Sequence, residues 1–215
     1  QIRDLIAENE NLKEQVDELT IENTRLQQDR YELTNLRELY SLDAQYDEYE
    51  KTGARIIARD SGNWFYSFVI NKGEQDGIAV NMNVMAGSGL VGRIVDVGPN
   101  WAKVKAIIAD DSNVSAMVLS SSDNMIVSGN LRLYATGVIE FEQLIDSADA
   151  VVEGDKIVTS NISDIYLPGI LIGYISQINQ DSNNLTKSGH ITPAVDFEHL
   201  EEVLVVMQLK QTITD

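Results

Sequence analysis

Two stretches of the chain share one pattern: Gly89-Leu90-Val91-Gly92-Arg93-Ile94-Val95 and Gly169-Ile170-Leu171-Ile172-Gly173-Tyr174-Ile175. Each follows a short apolar run, Asn83-Val84-Met85 in the first unit and Lys156-Ile157-Val158 in the second. Each unit therefore indicates a strand, a glycine-containing turn and a strand with an internal glycine. Such a glycine marks a bulge or a corner of a tightly coiled sheet. The repeat predicts two related β lobes.

Strand-like runs rich in Val, Ile and aromatic residues continue on both sides of these units, from Gly53 onward. We predict twelve strands, at residues 54–58, 65–70, 83–86, 90–97, 102–109, 114–119, 124–127, 137–141, 156–159, 170–178, 189–192 and 203–209. Only residues 141–148 and 196–202 have the pattern of short helices. Many short strands at this spacing predict an all-β fold, a sandwich or small barrels.

The N-terminal fifty residues have a different period. Leucine recurs at every seventh position, at Leu5, Leu12, Leu19, Leu26 and Leu33. If these leucines are heptad position d, position a includes Asn9, Val16, Asn23 and Arg30. Leucine at d with a β-branched or asparagine residue at a is typical of a parallel two-stranded coiled coil, in which paired asparagines set the register. The sequence therefore predicts a self-pairing helical stalk that ends near Gly53.

The resulting domain prediction has three parts: a dimerisation helix at 1–52, a first β lobe at 53–122 and a second at 123–215. Whether the lobes exchange strands stays open. Gln1 enters the heptad pattern in mid-frame without a helix cap, so we expect the natural chain to extend further upstream.

Composition excludes several classes of function. The formal net charge is -18, which opposes binding to nucleic acids and to anionic lipid surfaces. There is no cysteine, so disulfides and thiolate metal sites are excluded. Two histidines, His190 and His199, are too few for a zinc site without further ligands. We expect no metal and no cofactor.

Two patterns imitate enzyme motifs. Residues 87–92, Gly-Ser-Gly-Leu-Val-Gly, match the dinucleotide fingerprint, but that motif must open a helix and the next residues alternate as a strand. A serine protease needs a histidine base, an acid and a serine within hydrogen-bond reach. Because His190 and His199 both lie near the C-terminus, the order of the chymotrypsin triad is not met. We expect no catalytic residues.

Several ordered motifs resemble the rod shape-determining protein MreC family. In the first half these are Phe68-Val69-Ile70-Asn71-Lys72-Gly73, Gly77-Ile78, Val84 and Gly89-Leu90-Val91-Gly92-Arg93. In the second half they are Gly154-Asp155-Lys156-Ile157-Val158-Thr159-Ser160, Pro168-Gly169-Ile170, Ile172-Gly173 and Pro193-Ala194-Val195-Asp196. The resemblance covers residues 54 to about 207. Asn161, where the family usually has glycine, and Tyr166-Leu167, where phenylalanine is common, depart from it.

The resemblance implies two six-stranded β barrels, arranged as in chymotrypsin-type proteases but without their active site. It further implies a non-enzymatic scaffold that controls cell shape by organising peptidoglycan synthases outside the cytoplasmic membrane. The expected partners are a second copy of the chain, MreD and a class B penicillin-binding transpeptidase. A single membrane span would lie upstream of Gln1.

The residues selected from these motifs are expected to hold the fold or to contact partners. The structural set is Gly89, Gly92, Gly154, Asp155, Thr159, Ser160, Pro168, Gly169 and Gly173. Tyr166 and Leu167 are predicted to lie in an exposed loop as candidate partner contacts. The alternative function is a periplasmic adaptor of an export complex, which also joins a coiled coil to β modules. That class needs a hairpin of two antiparallel helices, whereas this sequence predicts a single long helix.

Overall fold

A computed structural model of the protein describes residues 2–45, 49–59, 66–87, 89–183 and 185–211. Helix α1 spans Ile2–Gln45, 44 residues without a glycine or proline. Its leucines, glutamates, glutamines and arginines are good helix formers. The predicted end near Gly53 is wrong, because Gly53 lies inside a strand that begins at Lys51. The helical segment therefore ends before residue 51.

All twelve predicted strands form, each with both ends within three residues of the predicted ends. They are β1 Lys51–Arg59, β2 Ser67–Ile70, β3 Asn83–Ala86, β4 Gly89–Val97, β5 Ala102–Ala106, β6 Asn113–Val118, β7 Asn124–Ser128, β8 Ile139–Leu144, β9 Lys156–Thr159, β10 Leu171–Gln180, β11 Lys187–Pro193 and β12 Glu202–Val206. Phe65, placed in the second predicted strand, lies outside the described residues.

The strands close into two six-stranded antiparallel barrels. The first has the order β1-β12-β3-β4-β5-β2 and the second β10-β11-β8-β7-β6-β9. Inward positions alternate with outward ones, as in β5 and β7. Phe68, Ile94 and Val205 fill the first barrel, and Phe141 and Ile172 fill the second, all almost fully buried. Burying such a side chain stabilises the fold by about 1.5–3 kcal/mol.

Barrel membership differs from the predicted lobe boundary at residue 122. Strand β6, at residues 113–118, belongs to the second barrel. Strand β12, near the C-terminus, returns to the first barrel and pairs with β1 and β3. The chain therefore leaves the first barrel after β5 and comes back at its end, which ties the two barrels into one unit.

The short helices differ from their predicted positions. Residues 141–144 belong to β8, so the predicted helix at 141–148 is wrong. The helix predicted at 196–202 is a single 3-10 turn, Phe197–His199, capped by Asp196. Two further elements were not predicted: a 3-10 turn at Glu74–Asp76 and the four-residue helix α2, Leu131–Tyr134.

Candidate functional site

The connection between β9 and β10 lies where the two barrels meet. We call residues 160–170 the seam loop. The loop starts and ends in the second barrel, yet it is hydrogen-bonded to Asn83 at the start of β3 in the first. Four of the residues selected from the family motif lie in it or next to it: Thr159, Ser160, Pro168 and Gly169.

Asn83 clamps the seam loop from the first barrel. Its side-chain amide donates to the Ile165 carbonyl oxygen at 3.1 Å, and its amide oxygen accepts from the Leu167 N–H at 2.8 Å. The residue is only 1% exposed. Since a buried backbone group without a partner costs about 1–3 kcal/mol, both of these bonds matter for stability. Asn83 was not singled out from the sequence.

Thr159 holds the same loop from the second barrel. Its hydroxyl donates to the Leu167 carbonyl at 2.6 Å and accepts from the Ile170 N–H at 2.9 Å. Gly169 turns the chain with φ of 84°, a conformation that favours glycine. Pro168 precedes it, and its carbonyl accepts from the Tyr49 hydroxyl at 3.1 Å. The motif residues here therefore shape the loop.

Serine and lysine side chains fix the remainder of the loop. The Ser160 hydroxyl, buried, donates to the Asn124 side chain at 2.8 Å. Ser163 accepts from the Tyr166 N–H at 2.9 Å. Near the C-terminus, the Lys210 ammonium donates to the Asn161 carbonyl at 2.9 Å. The seam loop is thus bonded to segments from across the barrel region.

Tyr166 and Leu167 do not lie on an exposed surface, so that expectation is wrong. Each is 4% exposed. Burial raises the pKa of Tyr166 to about 12, against the opposing effects of the Arg93 charge and of hydrogen bonds to Ser112 and Arg93. The tyrosine therefore stays protonated at every physiological pH and serves as part of the barrel junction.

The glycines of the repeated unit sit where two backbones touch. A Cβ added at Gly92 would overlap the Lys105 carbonyl oxygen of β5, and one at Gly173 would overlap the Thr192 carbonyl of β11. At Gly89 it would lie 2.5 Å from the Leu171 carbonyl oxygen of the other barrel. The equivalent positions of Gly92 and Gly173 support the internal repeat.

The turn before β9 contains Gly154 and Asp155. Gly154 has φ of 93°, and the Asp155 carboxylate accepts from the Val152 N–H at 3.0 Å. The Gly154 N–H in turn donates to the Ile175 carbonyl at 2.7 Å. These two residues therefore close the turn against β10.

We expect Asn83→Ala to lower the free energy of unfolding by about 2–4 kcal/mol, because it leaves the Ile165 carbonyl and the Leu167 N–H without partners. Chemical denaturation of the barrel region, followed by tryptophan fluorescence, measures this loss. The control is Asn113→Ala, which removes an exposed asparagine bonded to Ser128. Equal stability of the two variants would contradict the clamp.

Helix α1 exposes its leucine seam. The five d leucines are between 47% and 64% exposed, and Val16 at position a is 59% exposed. Asn9 and Asn23 are exposed at the other a positions. An apolar stripe of this length on a single helix is usually buried against another helix.

The enzyme-like patterns do not assemble into sites. The residues that follow Gly87 form strand β4, where the nucleotide fingerprint needs a helix; Ser88 lies outside the described residues. His190 belongs to β11, whereas His199 pairs with Asp196 at 2.7 Å on the 3-10 turn. Across the described ranges, no group of three His, Cys, Asp or Glu side chains is placed to bind a metal ion.

The barrels match a known family. The model of the rod shape-determining protein MreC, barrel core, aligns with residues 56–207. The chain belongs to the MreC family. Membership agrees with the motif resemblance and favours the cell-shape scaffold over the export-complex adaptor.

Individual MreC proteins resemble the chain over most of its length. The cell shape-determining protein MreC of Bacillus subtilis is 30% identical over 217 residues, covering 95% of this chain and 73% of that protein. The solved structure of MreC from Listeria monocytogenes is 28% identical with a TM-score of 0.69, and the match covers 96% of this chain and 100% of that one.

A third comparison concerns an assembly. MreC in a solved complex with the penicillin-binding protein PBP2 from Helicobacter pylori has a TM-score of 0.54, and the match covers 73% of this chain and 99% of that one. At 15% identity this likeness shows the shared fold.

None of the helices within the described ranges is both long enough and apolar enough to cross a bilayer.

Proposed function

We propose that the chain is a non-enzymatic scaffold of the bacterial cell-wall elongation machinery, which controls cell shape by organising peptidoglycan synthases outside the cytoplasmic membrane. The observation that carries the proposal is the match of both barrels to the MreC family over residues 56–207. The relatives named above are cell shape-determining proteins.

The architecture suits a binding role. Both barrels are closed, and their motif residues join strands, turns and the seam loop. The polar groups of Asn83 and Thr159 are used in hydrogen bonds to backbone, which makes the junction stiff. A stiff surface loses little conformational entropy when a partner binds. We infer that the barrels present fixed surfaces to other proteins of the wall-synthesis complex.

The partner best supported is a class B penicillin-binding transpeptidase, since an MreC with the same fold is solved in complex with a penicillin-binding protein. We include MreD as a second partner on family membership alone. Nucleic acid is not a partner in this proposal, because the chain carries a net charge of -18.

We infer that α1 pairs with the same helix of a second chain, parallel and in register. The support is the exposed leucine seam and the two asparagines at position a, which can pair only when the helices are aligned. We further propose that a single membrane span precedes the stalk and that the barrels are extracytoplasmic, as family membership suggests.

A direct binding measurement tests the proposed function. The full chain is immobilised, and the extracytoplasmic part of the transpeptidase from the same organism is passed over it in biolayer interferometry. We expect saturable binding, unchanged by His190→Ala or His199→Ala. Absence of binding at transpeptidase concentrations up to roughly 0.1 mM would contradict the scaffold, because any binding free energy would then be weaker than about -5.5 kcal/mol.

A further inference from the structure

Strand β10 is longer than the strand beside it. On one side it pairs with β11 from Gly173 to Gln180. On the other side it pairs with β9 only through Leu171, Gly173 and Tyr174. Ile175 is then bonded to the turn before β9, through the Gly154 N–H at 2.7 Å and the Asp155 carbonyl at 3.0 Å.

Beyond that turn, no described strand pairs with the second edge of residues 176–180. Within the described part of the chain, their backbone hydrogen bonds go to β11. Their side chains are Ser176, Gln177, Ile178, Asn179 and Gln180; Ile178 is half-buried and the other four are exposed. We call these five residues the open edge.

Sheet edges in soluble proteins are usually protected by lysine, proline, inward charges or bulges. The open edge has no charged residue and no proline. One bulge lies at its start, between Ile175 and Gln177. Four residues in regular pairing with β11 follow, at 177–180, and their outer backbone groups are available to another strand.

The open edge is also held rigidly. Its partner β11 is hydrogen-bonded along its other edge to β8, from Lys187 to Ile191. At the tip, Asp181 accepts hydrogen bonds from Thr186 and Ser188, both at 2.6 Å. Next to the tip, where Lys187 pairs with Gln180, the Lys187 ammonium donates to the Asp146 carboxylate at 2.9 Å. A preformed edge binds an added strand with little ordering cost.

Charge indicates which occupant the edge favours. Glu153 and Asp155 lie in the turn at one end, and Asp181 lies at the other. A second copy of this chain would bring a further net charge of -18 to an edge that already has acidic residues at both ends. An extended segment that carries lysine or arginine beside its neutral central residues would be attracted instead.

We propose that the open edge, residues 176–180, accepts an extended, basic segment of a partner protein as an additional antiparallel or parallel strand of the second barrel. Main-chain hydrogen bonds supply the affinity in this mode of recognition, and the flanking acids select for positive charge. The proposal rests on the proposed scaffold function, since the expected source of the segment is the transpeptidase bound by the chain.

Hydrogen–deuterium exchange of the full chain tests the proposal, with the extracytoplasmic part of the transpeptidase as the probe. In the free chain we expect fast exchange at the amides of 176–180 that face away from β11. Saturation with the probe should slow them at least tenfold. Binding without protection at 176–180 overturns the open edge but leaves the scaffold intact, whereas absence of any binding overturns the scaffold itself. Protection that grows with the concentration of the chain alone identifies a second copy as the occupant and overturns the proposal.

A pair of lysine variants gives an independent test. Gln177→Lys with Asn179→Lys places charges on the open edge, and we expect at least tenfold weaker binding of the probe. The control, Leu119→Lys with Ser121→Lys, adds the same charge at exposed positions around the β6–β7 turn. Unchanged melting of both variants shows that they are folded. Equal binding by the two variants would overturn the proposal.

Discussion

Leu19→Asp is expected to convert the full chain from a dimer to a monomer in sedimentation equilibrium at micromolar concentration. Leu19 is at the centre of the d seam and 63% exposed on the single helix, so a partner helix would bury it. Two aspartates facing each other there would lose apolar packing and bury like charges. We expect the dissociation free energy to fall by at least about 3 kcal/mol, roughly a hundredfold in affinity.

The matched control for this prediction is Ile21→Asp. Ile21 lies two residues further along the same helix, at heptad position f, and is 72% exposed. Position f faces away from the partner in a two-stranded coiled coil. This variant should therefore remain a dimer. A wild-type chain that is monomeric under these conditions, or a Leu19→Asp chain that is still dimeric, would refute the stalk assignment.

Gly92→Val is expected to have the largest effect on the barrels. The added Cβ would overlap the Lys105 carbonyl, and that neighbour is backbone of β5, which cannot move aside without breaking its own pairing. We expect a loss of about 3 kcal/mol or more, which lowers the melting temperature by roughly 6–12 °C in a domain of this size. The helical circular dichroism signal of α1 should persist through this transition.

Gly53→Val serves as its control. Gly53 is an exposed strand residue, and no other heavy atom of the described residues lies within 4 Å of the Cβ added there. Valine also favours strands. We therefore expect melting at or above the wild-type temperature. Unaltered melting of Gly92→Val, together with lost nucleotide affinity, would instead support the dinucleotide motif at 87–92.

The strands could be predicted because their signal is local. Alternation of apolar and polar residues, as in β5 and β7, reports which side chains face a core. It does not report which core. Strands β6 and β12 were therefore assigned to the wrong lobes: their pattern is the same in either barrel, and pairing partners far along the chain decide where they lie.

The positions of the short helices could not be predicted from hydrophobic periodicity, for a different reason. Helix α2 has four residues, fewer than two helical turns, so it shows no period. Its stability comes from capping: the Asn130 side chain accepts from the Leu133 N–H at 3.1 Å, and Asp110 accepts from the Leu131 N–H at 2.8 Å. Asn130 was the only local sign of it.

Only some of the residues that hold the seam loop could be identified from the sequence. Thr159 and Gly169 were selected as fold determinants from the motif, and the structure places both at the seam loop. Asn83 was not, because its partners at Ile165 and Leu167 are about eighty positions away and no local pattern joins them. For the same reason Tyr166 and Leu167 were expected to be exposed: what an apolar loop residue packs against is a property of the tertiary structure.

If the chain maintains cell shape as a scaffold, its depletion will change the width of the cells that encode it. The gene is placed under a repressible promoter in the organism that encodes it, and width is followed by phase-contrast microscopy over several generations. We expect cells to widen and lose their shape on depletion. Re-expression of the wild-type protein, or of a form with His190→Ala and His199→Ala, should restore the shape, while Leu19→Asp should restore it poorly. Unchanged cell width after complete depletion would rule out a role of this protein in maintaining cell shape.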